Sequence, residues 1–89
     1  MKHYLLKLFV AGDSPRSERA IYNLEQLCNR AMKNDYEIII VDVLEQPDLA
    51  EEEKILATPT LIKLAPNPTR RIIGDLSDPD KVLRILGVQ

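Results

Sequence analysis

The sequence has very few of the side chains that most catalytic sites require. Its 89 residues include one cysteine, Cys28, and one histidine, His3. A single cysteine excludes an internal disulfide, dithiol exchange and any metal site built from several thiolates. Cys28 falls among the apolar positions of a predicted helix, which favours a core thiol over a catalytic cysteine–histidine pair. We therefore predict a protein that is not an enzyme and that carries no catalytic residue, metal or cofactor.

Long apolar runs and an excess of positive charge are also missing. The sequence has no run of about 18 apolar residues and no signal-peptide pattern, so we expect a cytoplasmic protein without membrane contact. Twelve basic and fourteen acidic side chains give a net charge of −2, which provides no general attraction for nucleic acid. The length predicts one domain, residues 1–89, and the 45% apolar content is ordinary for a globular fold.

The first half of the sequence predicts a βαβ unit. Residues 4–10 and 36–43 are apolar and rich in strand formers, and we expect the second run to be a central strand covered on both faces. Between them, Ser14 is predicted to cap a helix that has Pro15 at its first position. Apolar residues then recur at helical spacing until Asn34. The two strands of such a unit are parallel, and its connection is right-handed.

The second half predicts a hairpin between two short helices. Residues 60–65 and 69–73 read as antiparallel strands joined by a proline-rich turn. Lys63 is expected on a partly exposed face of the first of these strands. The helix before the hairpin begins at Pro47 and is predicted to carry residues as far as Leu56.

The last helix has clear start and stop signals. Ser77 or Asp78 is expected to cap it, a short amphipathic stretch follows, and Gly87 ends it. The complete order is therefore β-α-β-α-β-β-α, which is the order of a thioredoxin-like fold. In that fold, the proline before the third strand, here Pro59, is commonly cis.

The loop after the first strand is where a thioredoxin-like protein would hold its two active-site cysteines. Here residues 12–17 contain no cysteine. Backbone N–H groups at this helix start could bind an anion, although a capped helix without a ligand is favoured. A thioredoxin-like shape without its redox centre predicts a binding protein.

Three segments resemble a known family. They are LKLFVAGDSPRSERAI at 6–21, VDVLEQPDLAEEEKILATPTL at 41–61 and RRIIGDLSDPDKVL at 70–83. Together they are similar to the KaiB family of small clock proteins, found in cyanobacteria and other bacteria. The resemblance implies an adaptor that binds the N-terminal ATPase ring of KaiC, a hexamer, and modulates its phosphorylation and ATPase cycle. It further implies KaiA and a competing histidine kinase, SasA, as partners.

The family also implies a second fold. Its ground state is a tetramer with an alternative C-terminal half, and its partner-binding state is a thioredoxin-like monomer. The resemblance thus implies that this chain can associate with itself as a dimer or tetramer. By resemblance, residues 1–46 keep their βαβ form, and residues 47–89 refold. The positions implied in this refolding are Pro59, Pro66, Pro68, Gly74, Asp75, Ile85 and Gly87. The implied partner-facing positions are Tyr4, Arg19, Lys54, Arg70 and Arg71.

The sequence departs from the family pattern at several points. Ile85 and Gly87 stand near positions where cyanobacterial members have glycine and then aspartate, and the acidic tail after this segment is missing. Because isoleucine forms helices better than glycine, we expect the thioredoxin-like form to be favoured. Ile39 replaces a frequent lysine, which argues against capture of KaiA and for a KaiC homologue working outside a complete oscillator, in daily timing or stress adaptation.

Two other functions stay open on the sequence. A related thioredoxin-like domain forms the sensory end of SasA-type histidine kinases, and this chain resembles it without an attached kinase. A thiol-based redox protein that uses Cys28 is the weaker alternative, because the cysteine pair is absent.

Overall fold

A mixed four-stranded sheet with three helices forms the fold. The computed structural model describes residues 3–88. The strands follow the order β2-β1-β3-β4 across the sheet; β1 is parallel to β2 and antiparallel to β3, which is antiparallel to β4. The elements in chain order are β1 (Tyr4–Val10), α1 (Pro15–Ala31), β2 (Tyr36–Asp42), α2 (Pro47–Glu52), β3 (Thr60–Ala65), β4 (Arg70–Ile73) and α3 (Pro79–Leu86). The predicted order of elements is confirmed.

Side-chain caps fix the start of both longer helices. The Ser14 hydroxyl accepts a hydrogen bond from the backbone N–H of Ser17 at 3.1 Å before α1. Asp78, and not Ser77, does the same for Lys81 at 3.2 Å before α3. Each cap satisfies one of the backbone donors that a helix start leaves free. Gly87 ends α3 at a φ of +77°, which glycine adopts without steric cost.

Residues with a positive φ end the first two helices. The helix α1 ends at Ala31, before the predicted break at Asn34, because Lys33 adopts a φ of +50° that a right-handed helix does not allow. In the same way, α2 stops at Glu52 and not at Leu56, because Lys54 has a φ of +56°.

The alternation of β1 divides the core into two layers. Leu6, Leu8 and Val10 enter the larger layer, beneath α1 and α3. Phe9 points to the opposite face and packs with Val41 and Ile62 in a smaller layer, which includes residues of the α2 region. The α2 side of the sheet is therefore the thinly covered side.

The prediction of a central second strand is wrong. The hairpin β3–β4 joins the sheet beside β1, so β2 lies at the other edge. Ile39 and Ile40 on β2 are 37% and 44% exposed as a result. The strand also ends at Asp42, one residue before the predicted end, and β4 begins at Arg70 and not at Thr69.

The prediction of a partly exposed Lys63 is also wrong. Its side chain is 3% exposed, and the ammonium donates a hydrogen bond to the Leu86 carbonyl at 2.7 Å. The carbonyl end of a helix carries partial negative charge, and this makes the burial of an ammonium group tolerable. Burial, and then the nearby Arg70, lower the pKa of Lys63.

The positions implied in refolding lie in and around the hairpin and α3. The peptide bonds before Pro59, Pro66 and Pro68 are all cis, which confirms the expectation for Pro59. Gly74 follows β4 with a φ of +122°, and its N–H donates to the Pro59 carbonyl at 2.9 Å. Ile85 is half-buried on α3, against the larger layer. The alternative fold of residues 47–89 stays a prediction.

The contribution of the larger core layer to the free energy of unfolding can be measured with substitutions in α1. Leu24 is fully buried in this layer, whereas Gln26 on the same helix is exposed. We expect Leu24→Ala to lower the free energy of unfolding by about 2–5 kcal/mol, because it leaves a cavity. Gln26→Ala should change it by less than about 0.5 kcal/mol. Urea unfolding followed by circular dichroism compares the two variants; equal effects would show that α1 does not anchor the layer.

Candidate partner-binding surface

The loop between β1 and α1 is filled by its own hydrogen bonds. The N–H of Gly12 donates to an Asp42 carboxylate oxygen at 2.9 Å, and the Ser17 hydroxyl donates to the Ala11 carbonyl at 3.3 Å. The same Asp42 oxygen accepts from the N–H of Leu44 at 3.0 Å. The place of a thioredoxin-type redox centre is thus occupied by a capped helix start and a carboxylate that joins two loops.

The single thiol lies elsewhere, inside the larger core layer. Cys28 is free and fully buried. Burial, and to a smaller degree the charge of Glu25, raise the pKa of Cys28 to about 12. A thiol with this pKa stays protonated at neutral pH and is a poor nucleophile. The predicted core position of Cys28 is confirmed.

Two of the predicted partner-facing residues, Lys54 and Arg71, lie close together. Lys54 is exposed just after α2, and its N–H donates to the Glu51 carbonyl at 3.1 Å. The guanidinium of Arg71, on β4, donates to the backbone carbonyl of Glu53. The strand edge β4 and the end of α2 therefore present these two charges on one side of the sheet.

Arg70 lies beside Arg71 but faces the other side of the sheet. Neighbouring side chains on a strand point in opposite directions, and Arg70 is the Cα partner of the buried Lys63. Its guanidinium donates to the Thr69 carbonyl at 3.2 Å. The two arginine side chains therefore lie on different faces of the sheet.

Arg19 belongs to a separate cluster between α1 and the segment after β4. Its guanidinium lies 3.3 Å from the Asp75 carboxylate. Asn23, one turn further along α1, donates to the Asp75 backbone carbonyl at 2.8 Å. A hydrogen bond from the Ser77 hydroxyl, and then the contact with Arg19, lower the pKa of Asp75. This cluster holds the chain where it turns from β4 towards α3.

Tyr4 is the remaining predicted contact residue, and it lies apart from the others. It begins β1, next to Tyr36 of β2, and its ring meets that of His3 edge-on, with 4.8 Å between centroids. The strand β3 separates β1 from Arg70 and Arg71. The structure thus brings together Lys54 and Arg71, with Arg70 next to them, and leaves Arg19 and Tyr4 at two other places.

Two exposed aliphatic side chains beside the basic group were missed by the sequence reading. Leu56 is 96% exposed and Ile73 is 68% exposed. Both belong to apolar stretches that predict burial, so the sequence pattern did not indicate their exposure. Exposed aliphatic side chains next to charged groups are a feature of protein-binding surfaces.

The main surface clefts of residues 3–88 are small. Three surface clefts have volumes of about 120–200 Å³, below the roughly 300 Å³ at which small-molecule pockets begin. In this part of the chain, no three His, Cys, Asp or Glu side chains are grouped in a way that could hold a metal ion. No helix within it has the length and apolar content needed to cross a bilayer.

Fold comparisons place the chain among thioredoxin-like proteins. The N-terminal domain of Synechococcus elongatus SasA superposes with a TM-score of 0.79 at 24% identity, covering 98% of this chain and 86% of that one. Chloroplastic thioredoxin z also gives a TM-score of 0.79 at 24% identity, covering 97% and 77%. At this identity the likeness establishes the fold alone. It confirms the predicted thioredoxin-like fold, here in a chain with one buried cysteine.

Sequence comparisons define the family. Residues 7–88 match the model of the KaiB domain. The chain is 57% identical over 82 residues to the circadian clock oscillator protein KaiB of Prochlorococcus marinus subsp. pastoris, covering 92% of this chain and 77% of the relative. It is 55% identical to KaiB of Thermostichus vulcanus, covering 92% and 76%. The chain belongs to the KaiB family, as the resemblance indicated.

The burial of Cys28 predicts a slow thiol reaction in the folded protein. At a pKa of about 12, its thiolate fraction near neutral pH is roughly a thousandfold below that of a free thiol. We expect a chromogenic disulfide reagent to label Cys28 at least that much more slowly in buffer than in 8 M urea (about the concentration that unfolds small domains). Fast labelling of the native protein would revive the thiol-based alternative.

The lowered pKa of Asp75 predicts a contribution to stability at neutral pH. A carboxyl group whose folded pKa lies below its unfolded pKa stabilises the protein above the unfolded value, about 3.9, and loses this effect as the pH falls through the folded value. We expect Asp75→Asn to destabilise the protein at pH 7 and to flatten the fall in stability below pH 4. Thermal unfolding across pH 2–7 measures both effects (the range is roughly that in which carboxyl groups titrate), with Asp80→Asn as an exposed control.

Proposed function

We propose that this chain is a non-enzymatic adaptor that binds the N-terminal ATPase ring of a KaiC-type hexamer. The observation that carries the proposal is the family match over residues 7–88, with 57% identity to a circadian clock oscillator protein. Binding of this kind would modulate the phosphorylation and ATPase cycle of the hexamer, in circadian or stress-related regulation.

The surface around Lys54 supports a binding role. In the described part of the chain, the one ion pair joins Arg19 and Asp75. Lys54, Arg70 and Arg71 therefore have no carboxylate partner among these residues. Exposed charges without an internal partner contribute to the rate and specificity with which a protein meets a complementary surface. We propose that Lys54 and Arg71 face the hexamer, with Arg70, on the opposite face of β4, and Arg19 and Tyr4 as outlying contacts.

We do not extend the proposal to capture of a KaiA-type protein. The position on β2 where the family resemblance implies a lysine is Ile39 here, and it is 37% exposed at the sheet edge. An aliphatic side chain cannot form the charge pair that a lysine would offer. A SasA-type histidine kinase is the partner that would compete with this chain for the ring.

Charge reversal at Lys54 tests the proposal. We expect Lys54→Glu to weaken binding to a KaiC homologue about tenfold or more, because it replaces an attractive charge with a repulsive one. Lys33→Glu is a matched control, since Lys33 is also exposed and also has a positive φ, +50° against +56° for Lys54. Isothermal titration with the purified homologue measures both affinities. Equal affinities for the two variants would remove Lys54 from the site, and no binding by the wild-type chain would refute the proposed function.

A further inference from the structure

The outer edge of β4 presents unpaired backbone groups. The N–H of Gly74 donates to the Pro59 carbonyl at 2.9 Å, and the residue pairs between β4 and β3 continue in register from there. Hydrogen-bonded and non-hydrogen-bonded pairs alternate along antiparallel strands. Ile73 and Arg71 therefore lie in non-hydrogen-bonded pairs, and their N–H and C=O groups point away from β3.

This edge is open in the described part of the chain. The strand β4 ends the sheet order, and among residues 3–88 it pairs with β3 alone. The backbone N–H and C=O groups of Arg71 and Ile73 point away from β3, and those of the residue between them point towards it. An extended peptide can add as a strand to backbone groups in this pattern. An open edge also allows unwanted pairing between copies of a protein, unless side chains oppose it.

Arginine side chains oppose the pairing of two copies here. Antiparallel association of two β4 strands would bring the Arg70 and Arg71 side chains of both copies to one short interface, and would set the two Arg71 side chains directly opposite each other in the register that pairs Arg71 with Arg71. Like charges facing each other across strands are destabilising. The guanidinium groups of both residues donate to backbone carbonyls, of Thr69 and Glu53, so no carboxylate partner neutralises them within this part of the chain. A strand of opposite charge is accordingly favoured over a second copy.

Aliphatic side chains next to this edge offer an apolar anchor. Ile73 is 68% exposed and lies on the same face of β4 as Arg71. Leu56, which is 96% exposed, follows the end of α2, where the Arg71 guanidinium binds the Glu53 carbonyl. An added strand with an aliphatic residue opposite Ile73 would bury part of this surface.

We infer that the outer edge of β4 docks an extended, acidic segment of a partner protein as a fifth strand. The backbone of Arg71 and Ile73 supplies the hydrogen bonds, Arg70 and Arg71 attract the carboxylates, and Ile73 receives an aliphatic side chain. This inference goes beyond the assignment of a KaiC-type partner, because it concerns the backbone of one strand and holds for whichever protein supplies the segment.

A synthetic peptide tests the edge without any assumption about the natural partner. The probe is a capped heptapeptide of sequence EEVVEEV, in which glutamate and valine follow each other along each face of an extended strand. The control peptide has lysine at the glutamate positions. We expect the acidic peptide to shift the amide NMR signals of Arg71 and Ile73 and to slow their hydrogen exchange. The basic peptide should leave both unchanged. Changes centred on the β2 edge (Tyr36, Ile38 and Ile40), or no change at millimolar acidic peptide, would overturn the inference.

A proline substitution separates backbone docking from charge attraction. Ile73→Pro removes an N–H that points outward and spares the hydrogen bonds to β3, a position where edge strands tolerate proline. We expect it to weaken the acidic peptide about tenfold, whereas Ile73→Val, which keeps the N–H, should bind within about twofold of wild type. Unchanged binding by a folded Ile73→Pro variant would contradict strand addition.

Charge variants keep the inference testable if the proline variant does not fold. Arg71→Glu should weaken the acidic peptide about tenfold or more, and Arg16→Glu, an exposed change on α1, should have little effect. If the two substitutions weakened peptide binding equally, the peptide would be held by general charge attraction and would not dock at β4. The peptide contains no KaiC-type sequence. A peptide that does not bind would therefore leave the proposed KaiC-type partner standing, and a chain that does not bind a KaiC homologue would leave strand addition at β4 standing.

Discussion

The arrangement of the whole molecule depends on the burial of β1 between two layers of side chains. Leu6, Leu8 and Phe9 are fully buried, yet they point to opposite faces of the same strand. Each face of the sheet has to be packed against other side chains, and the helices cover the two faces unequally. The longer helices α1 and α3 cover one face, while the six-residue α2 covers the other. The fold is stable with one thick side and one thin side.

The thin side and its adjoining edge carry the features that suit a partner. A six-residue helix cannot cover a four-stranded sheet, so Ile73 on β4 stays exposed there, and Leu56, in the segment after α2, is exposed as well. On the opposite side, the ammonium of Lys63 is used inside the protein, because the end of α3 supplies a carbonyl acceptor. The same kind of charge thus has a structural role on the thick side and is available for binding on the thin side.

This chain has the fold of thioredoxins but not their redox site. The helix start that would activate a thiol holds Ser14, whose hydroxyl caps the helix, and the loop before it is joined to β2 by Asp42. The one thiol lies in the core, where burial raises its pKa. What the fold retains is a four-stranded sheet whose two edge strands each pair on one side only within residues 3–88, and this is a suitable base for an adaptor in the KaiB family.

The sequence by itself determined the local structure. Ser14 with Pro15 and Asp78 with Pro79 marked two helix starts, Gly87 marked an end, and β-branched runs marked the strands, because these signals act over a few residues. The exposure of each strand could not be read this way. Whether Ile39 is central or at an edge depends on where the hairpin β3–β4 joins the sheet, and Lys63 is buried because α3 packs over it. The site shows the same division: the family resemblance implied Lys54 and Arg71, but only tertiary packing decided that they lie near each other beside the outer edge of β4.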